Sequence, residues 1–450
     1  MANSDITATQ VLLERLRRIA CADLDKKVVH QVKRCLMDYL ACAVAGAKQV
    51  GSLKEAAKAF GGGSAVLIGM DGDLSRAGAA FFNGFNSHRL ELDDGHRRAM
   101  LHPGAPVFSA LLASYDDNDT WDSFCRAVVA GYEIAIALGE ALQPSHKLAG
   151  FHATGTCGVV GAAAAICILK GYSLDMMKTS LSAAVASASG LLEMIESGSS
   201  LKPFNIAHAS SSAVVASLMG ATNYSAPDDA IGGSRGFLRN FASDSSRLHF
   251  EHEYKIMGIY VKPYAACRHC HSPIDCSEMI ASENCIDPMR ISSVNVETYK
   301  LAVRGHDHNT VVDSADAKMS TPFGVASMLC GKGAFVDAYS EEAISDIAVV
   351  NLMKKIVVSE NAEMTDESPG KRGARVTVVM DTGKSYSRRV DYPKGEPENP
   401  ISDRELYGKA SSLLRCAGMP DGAIELLFQE VNQPEPNLSY LIQECGKEFA

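Results

Sequence analysis

The sequence predicts a mainly α-helical protein: a large all-helical domain followed by a smaller α+β domain. Three observations carry this reading. Apolar residues recur at helical spacing before about residue 265, with Ala and Gly dense between 104 and 200. The texture then changes, and residues 291–299 alternate as a strand does. Helical spacing returns after residue 400. The expected boundaries are a helical domain at 1–268, an α+β domain at 269–398, and a C-terminal helical segment at 399–450 that rejoins the first domain.

Taken in order, Val11, Leu12, Leu16 and Ile19 mark a helix over 7–20. Val28, Val29, Val32, Leu36, Leu40 and Val44 give a broad apolar face to a helix over 26–45, ended by Gly46. A short helix at 51–60 leads through Gly61-Gly62-Gly63 into an extended segment at 64–69 and a turn at Asp71-Gly72-Asp73. Helix resumes over 75–87, and further helices are expected at 105–116, 121–142, 156–170, 173–189 and 206–221. Runs such as Gly161-Ala162-Ala163-Ala164-Ala165 let helix axes approach closely, as in a tightly packed interior. Beyond the 291–299 strand, helices at 321–331, 339–352 and 401–417 flank a β-hairpin at 374–380 and 385–390, with Asp381-Thr382-Gly383-Lys384 as its turn.

Composition narrows the function. A formal net charge of -10 argues against a nucleic-acid-binding surface but leaves room for a local basic pocket. No apolar run is long enough to span a bilayer, and residues 1–5 do not open a signal peptide, so no membrane partner is expected. The 13 cysteines are scattered and mostly beside apolar residues, which predicts reduced thiols in a cytoplasmic protein.

One stretch concentrates ionisable groups between two apolar segments: Leu90-Glu91-Leu92-Asp93-Asp94-Gly95-His96-Arg97-Arg98-Ala99-Met100-Leu101-His102-Pro103-Gly104. Charges so close to a core need partners or a ligand. Adjacent carboxylates cannot share one strand face, so one of Asp93 and Asp94 is expected at the site and the other at a helix terminus or an arginine. His152, in Gly150-Phe151-His152-Ala153-Thr154, precedes a helix whose free N–H groups suit a carboxylate; the same turn also reads as a simple helix cap. Lys202 follows Ser197-Gly198-Ser199-Ser200-Leu201 and reads as a counter-charge for a carboxylate or as an exposed lysine.

In Lys262-Pro263-Tyr264-Ala265-Ala266-Cys267-Arg268-His269-Cys270-His271, Arg268 and His271 are candidate donors to an anion. A zinc reading of Cys267, Cys270, His271 and Cys276 fails on spacing, because no second cluster matches and the pattern crosses a helix start, so no metal is expected. Arg304-Gly305-His306-Asp307-His308 and Asp316-Ala317-Lys318-Met319-Ser320 either reach the site from the second domain or pack the interface. There is no dinucleotide-binding glycine fingerprint, Walker loop, H-E-x-x-H or G-x-S-x-G nucleophile elbow. What remains is a cofactor-free pocket of His, Asp, Lys and Arg. It suits proton abstraction next to a carboxylate, with cations holding the substrate and the enolate-like state.

At these residues the chain resembles the MmgE/PrpD family over nearly its whole length. The marks, in order, are Asn83-Gly84, Leu92-Asp93-Asp94 ending in His102-Pro103, Gly150-Phe151-His152-Ala153-Thr154, Lys202-Pro203, Lys262-Pro263-Tyr264 with Cys267-Arg268 and His271, and Asp316-Ala317-Lys318-Met319-Ser320. The resemblance implies a large helical domain built from both chain ends, a smaller α+β lid, a homodimer, and a site between the domains. It implies Asp93, His102, His152 and Lys202 as catalytic residues, and Lys262, Arg268 and His271 as substrate-binding ones. His96 and Arg97 join the substrate-binding group because the charge in 95–98 departs from better-known members where specificity is expected to be set. The activity implied first is a cofactor-independent hydro-lyase acting on a small di- or tricarboxylate, 2-methylcitrate dehydratase-like. The alternatives are an epimerase or racemase of a dicarboxylate such as iminodisuccinate, and a cis-aconitate-type decarboxylase.

Overall fold

The computed structural model describes residues 6–48, 53–194, 199–242 and 248–449. Residues 1–5, the start of the 51–60 helix, and Ser197 and Gly198 ahead of Lys202 lie outside the described residues.

The helical part is built from Ala8–Ala20, Lys26–Ala47, Arg76–His88, Gly104–Ser114, Trp121–Leu142, Gly158–Leu169, Leu174–Ala186 and Lys202–Gly220. Their starts follow local chemistry. Thr7 and Thr120 each close a capping box, and Asp25, Ser75 and Ser173 accept from first-turn N–H groups. Small residues set the helix spacing. A Cβ on Gly84 would meet Ser210 Oγ at 2.5 Å, and one on Gly161 would meet the Gly131 carbonyl oxygen at 2.5 Å. The helices carrying these glycines therefore touch backbone to backbone, and most side chains of 104–114 and 158–169 are fully buried.

The second part is a four-stranded sheet in the order Ile356–Glu360, Ile291–Thr298, Ala374–Met380, Ser385–Val390. The first pair is parallel and the other two are antiparallel. Helix His271–Glu283 packs on the hairpin strands and on helix Thr321–Leu329. The hairpin occupies the expected residues, with Gly383 at φ +82° in its turn.

Three expectations are corrected. The continuous 339–352 helix is a 3-10 turn and two short helices, Glu341–Ile344 and Ile347–Met353, because Ser340 and Asp346 each cap a new start. The 356–360 strand was not expected; five residues with one buried side chain give almost no alternation. The 206–221 helix begins at Lys202, with Pro203 in its first turn, where a missing N–H costs nothing.

Helix Asp403–Cys416 returns to the helical part and packs against 26–47. There Lys409 Nζ donates to Asp38 Oδ1 and to the Leu92 carbonyl, each at 2.6 Å. Among the described residues, no helix is long and apolar enough to cross a membrane.

Candidate active site

Helix Arg76–His88 ends at a buried histidine, and the chain turns at once. Glu91 takes φ +56°, a left-handed conformation that is strained for a residue with a Cβ. The turn is held by lysines. Lys202 Nζ donates to Glu91 Oε1 at 2.5 Å, and Lys262 Nζ donates to the Glu91 carbonyl at 2.9 Å and to Oε2 at 3.2 Å. Burial opposes ionisation of Glu91, but Lys202, Lys262 and His88 outweigh it and hold the carboxyl well below the usual range. Burial likewise disfavours the Lys202 ammonium, and Glu91 more than restores it.

The next two carboxylates face different surroundings. Asp93 accepts from His88 Nδ1 at 2.8 Å and lies 3.5 Å from His102 Nδ1. Asp94 turns to the start of helix 104–114, accepting from Gly104 N–H at 3.0 Å and from the Tyr132 hydroxyl at 2.5 Å. Burial works against both charges. For Asp93 the two histidines win and its carboxyl is held far below the usual range. For Asp94 burial wins, with Asp93 and Asp38 adding to it, and the carboxyl rises to about 7.

Two histidines of this wall present opposite ring states. His102 Nδ1 lies 2.7 Å from the Asp94 carbonyl, which can only accept. That places the proton on Nδ1 and leaves Nε2 as a lone pair. His152 Nδ1 lies 3.1 Å from Asn205 Nδ2, whose amide also donates to the Leu191 carbonyl at 3.2 Å. That makes His152 Nδ1 an acceptor and puts the proton on Nε2. Burial keeps both rings neutral, their pKa values well below the ordinary one. The two loops are stitched together where His102 N–H donates to Thr154 Oγ1 at 3.1 Å.

Some of these groups line one side of a cavity of about 240 Å³. Glu91, His102, Lys147, His152 and Lys202 come from the helical part; Cys267, His269, Arg304 and His306 face them from the second part. Lys147 Nζ sits 2.7 Å from His269 Nε2, and His269 Nδ1 lies 2.6 Å from the Tyr299 hydroxyl. A lysine can only donate, so His269 is neutral with its proton on Nδ1. Burial brings the Lys147 ammonium down to about 8.

Two clusters bring metal-ligating atoms within 4.8 Å of one another: Cys267, His269 and His306, and His88, Glu91 and His102. Neither fits a cation as it stands. Lys147 occupies the His269 lone pair, and Lys202 and Lys262 hold both Glu91 oxygens. The chemistry of this cavity is that of an anion site with movable protons.

The structure brings His102, His152 and Lys202 together at the cavity and sets Asp93 and Lys262 directly behind it, Asp93 against His88 and Lys262 against Glu91. Arg268 lines the cavity, but its guanidinium is occupied by Glu396, the Lys394 and Pro393 carbonyls and the Tyr260 ring. Three expected positions are corrected. His271 is fully buried, with Nδ1 accepting from Arg268 and Nε2 donating to the Ala266 carbonyl, so neither nitrogen is free for a substrate. His96 lies in a strand paired with Ile259–Tyr260, takes the Ala99 N–H on Nδ1 and opens on a separate cleft with Glu140 and Lys255. Arg97 is tied to Glu396 and Glu398 and also lies in that cleft.

Sequence reasoning missed Glu91, His88 and Lys147 as parts of the site. His88 carries a usable signal, since a histidine ending an apolar helix just before a charged stretch is an unusual core residue. Glu91 sits in plain sight two places before Asp93, but its left-handed turn cannot be read from composition. Nothing in the sequence marks Lys147.

Residues 12–248 match the MmgE/PrpD N-terminal domain, and residues 264–431 match the MmgE/PrpD C-terminal domain. The chain is 24% identical over 437 residues to a cis-aconitate decarboxylase of Aspergillus terreus, covering 90% of this chain and 89% of the relative. It is 26% identical over 423 residues to the cis-aconitate decarboxylase-like protein oryM of Aspergillus oryzae, covering 86% of each.

Proposed function

The chain belongs to the MmgE/PrpD family, and from that premise we propose that it is a lyase acting on a small di- or tricarboxylate by proton transfer at a carbon next to a carboxylate. The observation that carries this reading is the pair of opposite ring states beside the lysine cluster. His102 offers a lone pair at Nε2, and His152 offers an N–H there.

In the first reading the overall reaction is loss of water from a hydroxy acid. Lys202 and Lys147 hold the carboxylates. His102 Nε2 takes the proton from the carbon next to one of them, and the C–H electrons form the new double bond. The C–O bond breaks, and the departing hydroxide takes the proton back from the His102 imidazolium as water. The His152 N–H and the Lys202 ammonium meet the negative charge that builds on the carboxylate in between. A neutral imidazole serves here as a hydrogen-bond donor, a role known from other enzymes that polarise carbonyl oxygens.

The second reading is decarboxylation of an unsaturated tricarboxylate, and it is supported by the two relatives named for cis-aconitate decarboxylation. There the C–C electrons remain on the substrate as CO2 leaves. Lys147, with its ammonium near pH 8, supplies the proton that replaces it.

One experiment separates these readings. Citrate, methylcitrate, cis-aconitate and iminodisuccinate are each incubated with the protein in deuterated water and followed by NMR. Loss of water abolished in His102→Gln, or loss of CO2 abolished in Lys147→Gln, supports the lyase reading. Deuterium uptake with neither loss assigns an epimerase instead, and no turnover of any carboxylate overturns the proposal.

A further inference from the structure

The proposed reaction leaves one pair in the cavity wall unused. Cys267 Sγ lies 3.1 Å from His306 Nε2, and both residues line the cavity. They are brought together from segments far apart in the chain, Cys267 at the cap of the turn that leads into helix 271–283 and His306 from the loop that carries Arg304. The charges around the thiol favour its anion. Lys202 faces it from the helical part, and Lys147 reaches the same corner through His269. Glu91 opposes it but is already paired with two lysines. The His269 ring meets His306 edge-on at 5.1 Å, and Cys270, three residues on, is buried.

Burial by itself would keep the Cys267 thiol protonated; the His306 imidazolium beside it, with Lys202, outweighs burial and brings it below the ordinary thiol range. The His306 ring is held charged against its own burial by Cys267. Thiols buried in the core go the opposite way: burial raises Cys157, Cys167 and Cys445 to about 12.

We propose that Cys267 and His306 form a thiolate–imidazolium pair, a nucleophilic modification site in the cavity wall that takes small electrophiles bearing a carboxylate. With a haloacetate, a lone pair of the sulfur attacks the methylene carbon, the S–C bond forms, the C–halogen bond breaks and halide leaves. No proton has to move, because the thiol is already ionised. The lysines that face the sulfur select the carboxylate form of the reagent over a neutral one. The site stands on Cys267, His306 and the cavity charge, so it holds whichever reaction the cavity catalyses.

The test is a short pulse of iodoacetate, or of neutral iodoacetamide, on the full native chain at pH 6, with each cysteine quantified by peptide mass spectrometry. An ion-paired Cys267, set against the lower intrinsic nucleophilicity of such a thiolate, predicts labelling roughly tenfold faster than at exposed Cys21 or Cys285. Iodoacetate is expected to outpace iodoacetamide at Cys267 and at no other thiol. In His306→Gln the labelling at pH 6 is lost and returns only near the pH of an ordinary thiol; if that variant does not fold, the rates on the unmodified chain decide alone. Labelling of Cys267 no faster than that of Cys21 overturns the proposal. So does labelling that appears only after treatment with a chelator, which would assign the pair and His269 to a metal.

Discussion

Lys202 Nζ lies 2.5 Å from Glu91 Oε1, joining the first residue of helix 202–220 to a left-handed turn that follows helix 76–88. Both side chains are almost wholly removed from water. Breaking a buried ion pair leaves the surviving charge without a partner and costs about 3–5 kcal/mol. Glu91→Gln is therefore expected to lower the thermal midpoint clearly and to release Lys202 from its position. Calorimetry checks the first effect. A rise in KM for the carboxylate substrate, with refolding yield intact, checks the second.

Asn205 sets the ring state of His152 without lying at the reacting atoms. Asn205→Asp places a carboxylate opposite Nδ1, draws the proton to that nitrogen and leaves Nε2 without its hydrogen. The expected loss in kcat is on the order of 10²-fold, with KM changed much less. Nitrogen-15 NMR of the histidine rings reads the switch directly. An unchanged ring state with lost activity would mean that Asn205 acts in some other way.

Asp93 and Asp94 predict opposite pH dependences. The Asp94 carboxyl is near 7 in the folded chain and near 3.9 when unfolded, so between these values the folded state binds the extra proton. Its contribution is complete below about pH 4 and is lost as pH rises to about 7. Asp93, depressed by its histidines, contributes above the unfolded value and loses that contribution as pH falls. Asp94→Asn should flatten the decline in stability between pH 4 and 7, an effect of up to roughly 4 kcal/mol. Denaturant titrations at a series of pH values measure it.

Arg97 supplies a control on the site's limits. Its guanidinium holds Glu396 and Glu398 in a cleft away from the cavity. Arg97→Ala is expected to cost roughly 1–3 kcal/mol of stability while leaving KM within about twofold. A large KM change would return Arg97 to the substrate.

The sequence made His102, His152 and Lys202 legible because each stands beside a turn signal in an apolar setting, where an ionisable group is out of place. The helical pattern and the 374–390 hairpin were legible for the same kind of reason: periodicity survives in short windows. What depended on the third dimension was not. The face to which a charged side chain turns is decided by one backbone angle at Glu91 and by the pairing of 95–96 with 259–260, neither of which leaves a mark in composition. His96 and Arg97 read as substrate-binding because their charge departs from better-known members of the family, and the sequence does not show that they turn to a separate cleft. His271 looked like a donor because its two partners come from its own segment, at Ala266 and Arg268, and were not anticipated.

The Lys409 contact with the Leu92 carbonyl bears on the order in which the protein matures. Residues 90–94 leave the ribosome before the group that braces them, for the ammonium that fixes the Leu92 peptide belongs to a helix made more than 300 residues later. Chains fold from the N-terminus during synthesis as successive units become available. The segment that carries Glu91 and Asp93 must wait, partly unsecured, until residue 409 has been made. A nascent or truncated chain that stops before 403 can assemble the helices described before it and still lack the strut beneath the turn at 90–94.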